Sequence, residues 1–456
     1  MPLDAVFERF VKKSPLPLMA RLLMQRALSP KWLDALFEAH RQRQYTRELL
    51  FSTEVDLMAL VALGLRPSLH AAAQDRDELK VSIQALYDKV NHTEPELVRA
   101  LVQGSGERLM PVVEHLSLQQ RPWAAGYRVR VLDGNKLAAS QKRLKPLRGF
   151  RGAALPGQSL VVYAPEWDLV VDMLPAEDAH AQERALMGPV LERVQAGELW
   201  LADRNFSTRA ILFGMDDKQA AFIIREHASS PHPTEVSPMK EVGRSETGRV
   251  FEQAVELEAE GGRRLPLRRI ELHLDEPTED GDTCIRLLTN VPAESMGAQE
   301  VAGRYRRRWS IEGMFGRLES VLKSEVCSLG HPRAALLAFG VAVMAYNVLA
   351  VLLAAVETEH HLQATEVSSY YVAGEVKATY SGMMLAIPEK VWETFESQTE
   401  VELSQTLLQR ARQVKPAKLR KHRRGPKKKV MKGYVPAEQV RRHVSTARVL
   451  RGEEST

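Results

Sequence analysis

The chain has 456 residues, of which 44% are hydrophobic and 27% are charged, and its formal net charge is +5. These values are ordinary for a soluble globular protein of two to four domains, and they exclude a largely disordered chain. The positive charge is concentrated in residues 415–432, which contain ten Lys or Arg and no acid, so the remainder is net acidic. A DNA clamp and a solvated tail are both compatible with such a segment.

The cysteine content points to a reducing compartment. Cys284 and Cys327 are the two cysteines, too few for a disulfide framework or a thiolate metal site. The apolar run that follows Lys12 and Lys13 is short and is broken by prolines and Arg21, so no secretory signal is expected.

Residues 1–120 are predicted to form a helical amino-terminal domain. Within it, residues 77–90 resemble a helix-turn-helix pair, in which polar side chains would face a DNA groove. Any small helical bundle gives the same pattern. DNA contact and simple packing therefore both remain open for this segment, with DNA binding as the preferred interpretation.

From Gly126 onwards the pattern becomes extended. Hydrophobic runs predict five strands, at residues 127–133, 159–163, 168–173, 199–203 and 220–225. One helix is predicted between the third and fourth strands, at residues 179–195. The first strand is followed by Gly134 and Asn135, a turn signal. Three strands close in sequence, followed by alternation of helix and strand, predict a mixed α/β sheet with helices on its faces.

The remaining segments complete the predicted organisation. Residues 231–292 are strand-like and form a β-rich insertion, which divides the α/β core into residues 121–230 and 293–360. Residues 361–456 form a helical carboxy-terminal region with the basic tail. Residues 334–356 are apolar enough to span a bilayer, but Tyr346 and Asn347 within them favour a helix buried against a sheet.

A second helical segment opens at Tyr305 and is expected to run to about residue 323. At about 100° per residue, its polar face carries Tyr305, Arg308, Glu312, Glu319 and Lys323. Two interpretations are open. The face is either a solvated surface, or a rim that presents the Glu312 carboxylate to a site.

Two aspartates could form a site together with the Glu312 carboxylate. Asp133 and Asp203 each follow an apolar strand, at the end where polar side chains enter the ligand crevice of an α/β sheet. Carboxylates from separate elements can hold two Mg²⁺ ions in an oxygen-ligand site. Singly, however, Asp133 is equally compatible with a turn, and Asp203 with a helix cap.

Taken together, these features resemble a known family. Four motifs carry the resemblance, at residues 126–135, 155–163, 200–206 and in the pattern Tyr305-x-x-Arg308-x-x-x-Glu312. They resemble the insertion-sequence DDE transposases with a Tyr-Arg-Glu-Lys signature. The resemblance extends over most of residues 50–350 and implies an RNase H-like catalytic core interrupted by a β-strand insertion.

The resemblance implies roles for particular residues. Asp133, Asp203 and Glu312 would be the catalytic acids and the ligands of Mg²⁺, with Mn²⁺ as a substitute ion. Tyr305 and Arg308 would contact the DNA backbone near the transposon end. The neighbouring Arg306 and Arg307 would offset repulsion between the acids and DNA. We expect further backbone contacts from Lys142, Arg143 and Lys145, although a solvated loop is the alternative reading of these three.

The implied activity is cleavage of transposon ends and strand transfer into target DNA. Its partners would be double-stranded DNA and a second copy of the chain in a synaptic dimer, with no membrane. The location would be the bacterial cytoplasm, at the nucleoid.

The sequence departs from the family signature at one position. The family's lysine lies seven residues after the glutamate, where this chain has Glu319, a side chain that cannot bind phosphate as an ammonium does. Lys323, four residues further on, is the candidate substitute. The alternative hypothesis is a catalytically impaired or domesticated descendant that still binds DNA.

Overall fold

The computed structural model describes residues 5–44, 48–74, 76, 79–116, 123–259, 261–278, 281–422 and 443–453. The amino-terminal part is helical, with α1 (Ala5–Lys13), α2 (Pro15–Ala27), α3 (Pro30–His40), α4 (Phe51–Ala62), α5 (Leu69–Gln74), α6 (Ile83–His92) and α7 (Pro95–Leu116).

An α/β segment follows. It contains β1 (Arg128–Lys136), β2 (Ala153–Leu155), β3 (Gln158–Ala164), β4 (Leu169–Ala176), α8 (Met187–Arg193), β5 (Glu198–Ala202), α9 (Arg209–Asp217) and β6 (Ala221–Arg225). The next strands are β7 (Thr234–Glu235), β8 (Lys240–Ser245), β9 (Gly248–Glu258), β10 (Arg264–Leu274) and β11 (Cys284–Thr289).

Helices resume after β11. They are α10 (Ala298–Arg306), α11 (Ser310–Val321), α12 (Pro332–Glu359), α13 (Ser369–Ala386), α14 (Glu389–Glu393), α15 (Glu400–Ala411) and α16 (Thr446–Leu450). A short strand, β12 (His443–Ser445), precedes α16 and pairs in parallel with β2.

One mixed sheet of ten strands organises the fold. Its order is β4-β3-β1-β5-β6-β11-β10-β9-β7, with β8 paired to β9. Strands β1, β5 and β6 are parallel, whereas β3, β4 and β11 run antiparallel to their neighbours. The mixed α/β prediction is therefore confirmed. The β-rich residues after β6 extend the same sheet, because β11 pairs directly with β6.

The two faces of this sheet are buried in different hydrophobic clusters. On β1 and β5, Val131 and Leu201 point to the face covered by α7, α10, α11 and α12. Leu132 and Ala202 point to the opposite face, which α8 and α9 cover. Since side chains alternate along a strand, the face on which any residue at a strand end lies can be inferred from this pattern.

Helix α12 is the central helix of the structure. It is the one helix within the described residues that is long and apolar enough to cross a membrane, and its apolar window is completely buried. The side-chain amide of Asn347 exchanges two 2.8 Å hydrogen bonds with the backbone of Val170 on β4, which explains a polar residue there. Gly340 permits close approach to α7, since a Cβ would lie 2.5 Å from Val98 Cγ1. The prediction of a buried helix against a sheet is confirmed.

Three local predictions are wrong at their boundaries. Gly134 and Asn135 do not form a turn but continue β1, because both pair with β3. The single helix expected over residues 179–195 is a 3₁₀ turn followed by the shorter α8. The helix expected to reach residue 323 ends at Val321, because Leu322 is extended.

Two predicted DNA-contacting segments lie partly outside the described residues. Of the helix-turn-helix candidate, Asp77 and Glu78 fall outside them, and α6 begins at Ile83 with the Ser82 side chain as its cap. Of the basic segment, residues 423–432 fall outside them.

A carboxyl group is buried among the amino-terminal helices. Glu54 on α4 is fully buried and accepts a hydrogen bond from the Thr93 hydroxyl. Burial raises the pKa of Glu54 to about 7, although Thr93 and Lys89 oppose this shift. The ionised carboxylate is therefore unfavourable in the folded state.

This burial predicts the direction of a pH dependence. Because folded Glu54 binds its proton more tightly than the unfolded chain does, the free energy of unfolding should fall as pH rises from about 4.5 to about 7. The fall contributed by this group is at most about 3 kcal/mol. Glu54→Gln should remove it, as measured by urea unfolding across this pH range. The exposed Glu96→Gln is the control and should keep the wild-type slope; an unchanged slope in Glu54→Gln would contradict the prediction.

Candidate active site

The parallel pairing of β1 with β5 brings two aspartates together. Val131 pairs with Leu201, and continuing this register by two residues places Asp133 beside Asp203. Both side chains lie on the face of Val131 and Leu201, toward α11, because residues two apart share a face. Asp203 also caps a 3₁₀ turn by accepting a 2.8 Å hydrogen bond from the Asn205 backbone N–H. The helix-cap reading of Asp203 is therefore compatible with a place in the site.

Helices α10 and α11 bring the third acid to this edge. The chain passes from α10 through a 3₁₀ turn (Arg307–Trp309) directly into α11, so the backbone stays helical throughout. Tyr305 and Arg308 are buried, whereas 57% of the Glu312 side chain is exposed. Glu312 thus stands at the rim of a site whose floor is formed by Tyr305, Arg308 and the two aspartates.

Arg308 is the cation that links these groups. Its Nη1 donates to Asp133 Oδ2 at 2.8 Å, and its Nη2 lies 3.7 Å from Glu312 Oε1. The guanidinium also lies 5.9 Å from the centre of the Tyr305 ring. Only 10% of the Arg308 side chain is exposed. A buried guanidinium in this position lowers the cost of bringing three carboxylates together.

The electrostatics of Asp133 reflect this crowding. The pKa of Asp133 is raised to about 6, chiefly by burial and in part by the nearby Asp203, while Arg308 opposes the rise. Burial also raises the pKa of Tyr305, so its hydroxyl remains a hydrogen-bond donor at neutral pH. The site is therefore short of positive charge, even with Arg308 in place.

The donor atoms of the site suit a hard divalent cation. Asp133, Asp203 and Glu312 supply carboxylate oxygens from two strands and a helix, and the exposed rim leaves room for water and phosphate oxygens. Mg²⁺ and Mn²⁺ prefer such ligands. A bound cation would stabilise the ionised form of Asp133, which burial and, to a lesser extent, the neighbouring Asp203 disfavour.

A buried polar network anchors α11 one and a half turns beyond Glu312. Arg317 on α11 donates to Asp168 Oδ1 at 2.5 Å and also to the Tyr346 hydroxyl of α12. The hydroxyls of Tyr163 and Tyr346 donate to the same Asp168 oxygen. Strand β3, helix α11 and helix α12 therefore all contact the Asp168 carboxylate, which lies in the β3–β4 hairpin. These contacts fix the position of α11 over the sheet.

The basic residues predicted to contact DNA lie in three regions: the α10–α11 connection, the segment after α11, and the loop after β1. Arg306 pairs with Glu246 at 2.9 Å, and the Arg307 guanidinium lies 5.4 Å from the Trp123 ring, so both point away from the acids. Lys323 lies beyond the end of α11, near Lys377 and Gly64, rather than on the helical face that carries Glu312. The expectation that Lys323 extends that face is therefore wrong.

The third place is the loop after β1. The ammonium of Lys142 donates to the Phe150 carbonyl, Arg143 donates to the Gln141 side chain, and Lys145 is exposed. The Gln141 N–H donates to the Cys327 carbonyl at 2.8 Å, which holds this loop beside the segment that follows α11. The loop thus borders the edge of the sheet that carries the acids.

Sequence reasoning missed a fourth acid, Glu183. Its Oε2 accepts a 3.2 Å hydrogen bond from Asn205, and its charge adds to the rise in the pKa of Asp133. Glu183 lies against Gly134, where a Cβ would come within 2.0 Å of its Oε1. Gly134 therefore leaves the space that the Glu183 side chain occupies, and it does not form a turn. The sequence contains no periodic signal that would have singled out Glu183.

A separate group on the extended sheet brings together three possible ligands for a softer metal ion. Glu271, His273 and Cys284 have ligand atoms within 4.8 Å of one another. Glu271 already pairs with Arg286 at 2.9 Å, however, so a cation would have to compete with the guanidinium. Burial raises the pKa of Cys284 to about 11, which further disfavours a thiolate ligand.

One family comparison bears on this site. Residues 125–348 match the family model of the transposase DDE domain. The matched span contains Asp133, Asp203 and Glu312, begins just before β1 and ends within α12. A search of curated proteins found no match to the chain. The family match supports assignment to the DDE transposases.

The ion pair between Arg308 and Asp133 predicts a stability effect. Arg308→Ala should lower the free energy of unfolding by about 2 kcal/mol above pH 6, since it leaves a buried carboxylate without its cation. The loss should be smaller below about pH 6, where Asp133 is protonated. Chemical unfolding at both pH values measures it.

Arg306→Ala provides a matched control in the same helical segment. Arg306 is half exposed and pairs with the exposed Glu246, so its loss should change the free energy of unfolding by no more than about 0.5 kcal/mol. A double variant, Asp133→Asn with Arg308→Ala, should recover part of the loss. Additive effects of the two substitutions would contradict the proposed coupling.

Proposed function

From the match of residues 125–348 to the transposase DDE domain, we propose that the chain is an insertion-sequence DDE transposase of the Tyr-Arg-Glu-Lys group. It binds transposon-end DNA, cleaves it in a metal-dependent reaction and transfers the freed strand into target DNA. One observation carries the proposal. Asp133 and Asp203 share one face at the ends of paired strands, and Glu312 reaches the same edge through Arg308.

In the proposed reaction, Asp133, Asp203 and Glu312 hold the divalent ions. When bound, two Mg²⁺ ions increase the acidity of the attacking water or 3′-hydroxyl and stabilise charge on the phosphodiester oxygens. Water attacks the phosphorus at the transposon end, so that a bond from phosphorus to the water oxygen forms and the bond to the 3′ oxygen breaks. The flanking strand keeps a 5′-phosphate, and the 3′ oxygen of the transposon strand becomes a hydroxyl by taking up a proton given up by the water. That hydroxyl then attacks a target phosphodiester. Arg308 and Tyr305 hold the backbone of the end in line with the acids.

The proposed DNA contacts extend beyond the acids. Arg306 lies beside Glu246 of the extended part of the sheet, whereas Arg307 lies against the Trp123 ring before β1, and both would contribute positive charge to the DNA-binding surface. Lys142, Arg143, Lys145 and Lys323 are the further backbone contacts. Strand transfer of two ends requires two copies of the chain on DNA, and the proposed location is the bacterial cytoplasm without a membrane.

Metal-dependent cleavage tests the activity. Purified protein with Mg²⁺ or Mn²⁺ should nick a supercoiled plasmid that carries the inverted repeats flanking the gene, leaving 3′-hydroxyl ends. Asp133→Asn, Asp203→Asn and Glu312→Gln should each reduce cleavage at least about a thousandfold, because each removes a carboxylate ligand. Arg193→Ala, an exposed residue paired with Glu107, is the control and should cleave normally.

The same experiment distinguishes the alternative. Tight binding of the ends by the wild-type protein, with no nicking under either metal, would show a descendant that binds DNA without turnover. Equal cleavage by the wild-type and Asp133→Asn proteins would instead show that the nuclease lies outside the proposed site.

Glu319 provides a separate prediction. It is exposed on α11 two turns beyond Glu312, about 10 Å along the helix axis. Burial raises the pKa of Glu325, and the charge of Glu319 adds to this rise. Glu319→Lys should strengthen binding to the transposon ends, because a repulsive carboxylate becomes a phosphate ligand. It should also steepen the slope of log affinity against log salt by about one. Fluorescence anisotropy over a salt series measures both quantities. Glu319→Gln should give an intermediate affinity, and weaker binding by Glu319→Lys would contradict the prediction.

A further inference from the structure

A polar cavity opens on the other face of the sheet edge that carries the acids. Its volume is about 480 Å³, and it is lined by residues at or after the carboxyl ends of β1, β5 and β6, together with Gln158 and residues 181–184. Lys136 follows Asp133 by three residues and shares the face of Leu132, toward α8 and α9. Asp133 faces α11 instead. The cavity and the acids are thus separated by the strand ends themselves.

The lining of this cavity is polar, and its charged residues are mainly cations. It contains Lys136, Arg184 and Arg204, together with the single acid Glu183. Glu183 lies at the wall nearest to Asp133, and its carboxylate is engaged by the Asn205 amide. His227 Nδ1 accepts a 3.1 Å hydrogen bond from the Ser229 N–H, so the ring proton lies on Nε2 and can be donated. An anion would meet several donors here.

A buried hydroxyl gives an independent indication of a ligand. Ser207 lines the cavity and is only 2% exposed, and its Oγ has no hydrogen-bond partner among the described residues. An unpaired buried hydroxyl costs free energy unless a ligand or water satisfies it. Ser207 also lies just before α9, whose cap Thr208 lines the same cavity. The positive end of the α9 dipole therefore faces the cavity and favours an anion.

We propose that this cavity binds a backbone phosphate of the DNA strand under attack, next to the phosphate at which the acids act. The proposal rests on the proposed function. Ser207 and the α9 amino terminus would bind the phosphate oxygens, and Lys136, Arg184 and Arg204 would neutralise the charge. A strand that crosses the sheet edge passes from the α11 face to the α9 face, so its successive phosphates can contact both sites.

Equilibrium binding of duplex DNA, measured without divalent ions, tests the cavity independently of turnover. Arg204→Ala should weaken binding and reduce the slope of log affinity against log salt by about one. Ser207→Ala should weaken binding about threefold with no change in that slope, since it removes a neutral hydrogen bond. Arg193→Ala, at the end of α8 away from the cavity, is the matched control and should match the wild type in both.

Protein stability separates a binding role from a structural one. Ser207→Ala removes an unsatisfied buried hydroxyl, so its melting temperature should equal or exceed that of the wild type. Lower DNA affinity in such a stable variant supports the proposal. DNA affinity equal to the wild type in both Ser207→Ala and Arg204→Ala overturns it. A second outcome also overturns the proposal: inorganic phosphate stabilises the wild type but not Ser207→Ala, while the two proteins bind DNA with equal affinity. The cavity would then bind a small anion only.

Cleavage and strand-transfer assays identify the source of the strand. Slower cleavage of intact ends by Arg204→Ala identifies the flanking strand, and slower joining of pre-cut ends identifies the target strand; both outcomes support the proposal. If the wild-type protein shows no metal-dependent cleavage, the proposed function fails, while the binding measurements still decide whether the cavity holds a DNA phosphate.

Discussion

Crowding of like charges at one edge of the sheet is the constraint on which the candidate site depends. Asp133 and Asp203 lie side by side because β1 and β5 are parallel and in register. This proximity is unfavourable for two ionised carboxylates, and it adds to the rise that burial causes in the pKa of Asp133. Arg308 compensates through its short contact with Asp133, and Glu312 lies within reach of the same guanidinium. The arrangement remains deficient in positive charge, which is consistent with the proposal that the site holds divalent ions.

The rest of the structure holds these elements in position. Glu312 lies on α11, which is anchored by the contact of Arg317 with Asp168 and Tyr346. Tyr346 belongs to the buried α12, whose Asn347 is hydrogen bonded to the backbone of β4. The long apolar helix therefore links the sheet to the helix that carries the third acid. A single hydrophobic cluster extends from the amino-terminal helices through α12 to the carboxy-terminal helices, so the site rests on a continuous core.

The sheet also separates the charges of its two faces. The acids face α11, whereas the charged residues that line the cavity beside α9 are mainly cations. Glu183 lies near the boundary, where the absence of a side chain at Gly134 allows it to approach β1. Under the proposals made above, a DNA strand that crosses this edge would meet the three carboxylates on one side and the groups proposed to bind phosphate on the other. Such a division suits a reaction that must hold a phosphodiester chain while breaking one of its bonds.

The sequence determined the elements that carry the chemistry. Alternation of apolar residues indicated β1 and β5, and the motif resemblance assigned Asp133, Asp203 and Glu312 to one site. Composition and two polar residues favoured burial of α12. These signals are local, and each acid directly follows or lies within a strongly patterned element.

Only the tertiary structure decided which face each side chain occupies and which partners it meets. Strand pairing, rather than the Gly134 signal, extended β1 beyond Asp133. The end of α11 at Val321 moved Lys323 away from the face of Glu312. Glu183, Arg317 and Ser207 acquired their places through contacts with residues distant in sequence, and no periodicity encodes such contacts. The sequence therefore identified the acids, while packing determined the cations, the anchor and the cavity that surround them.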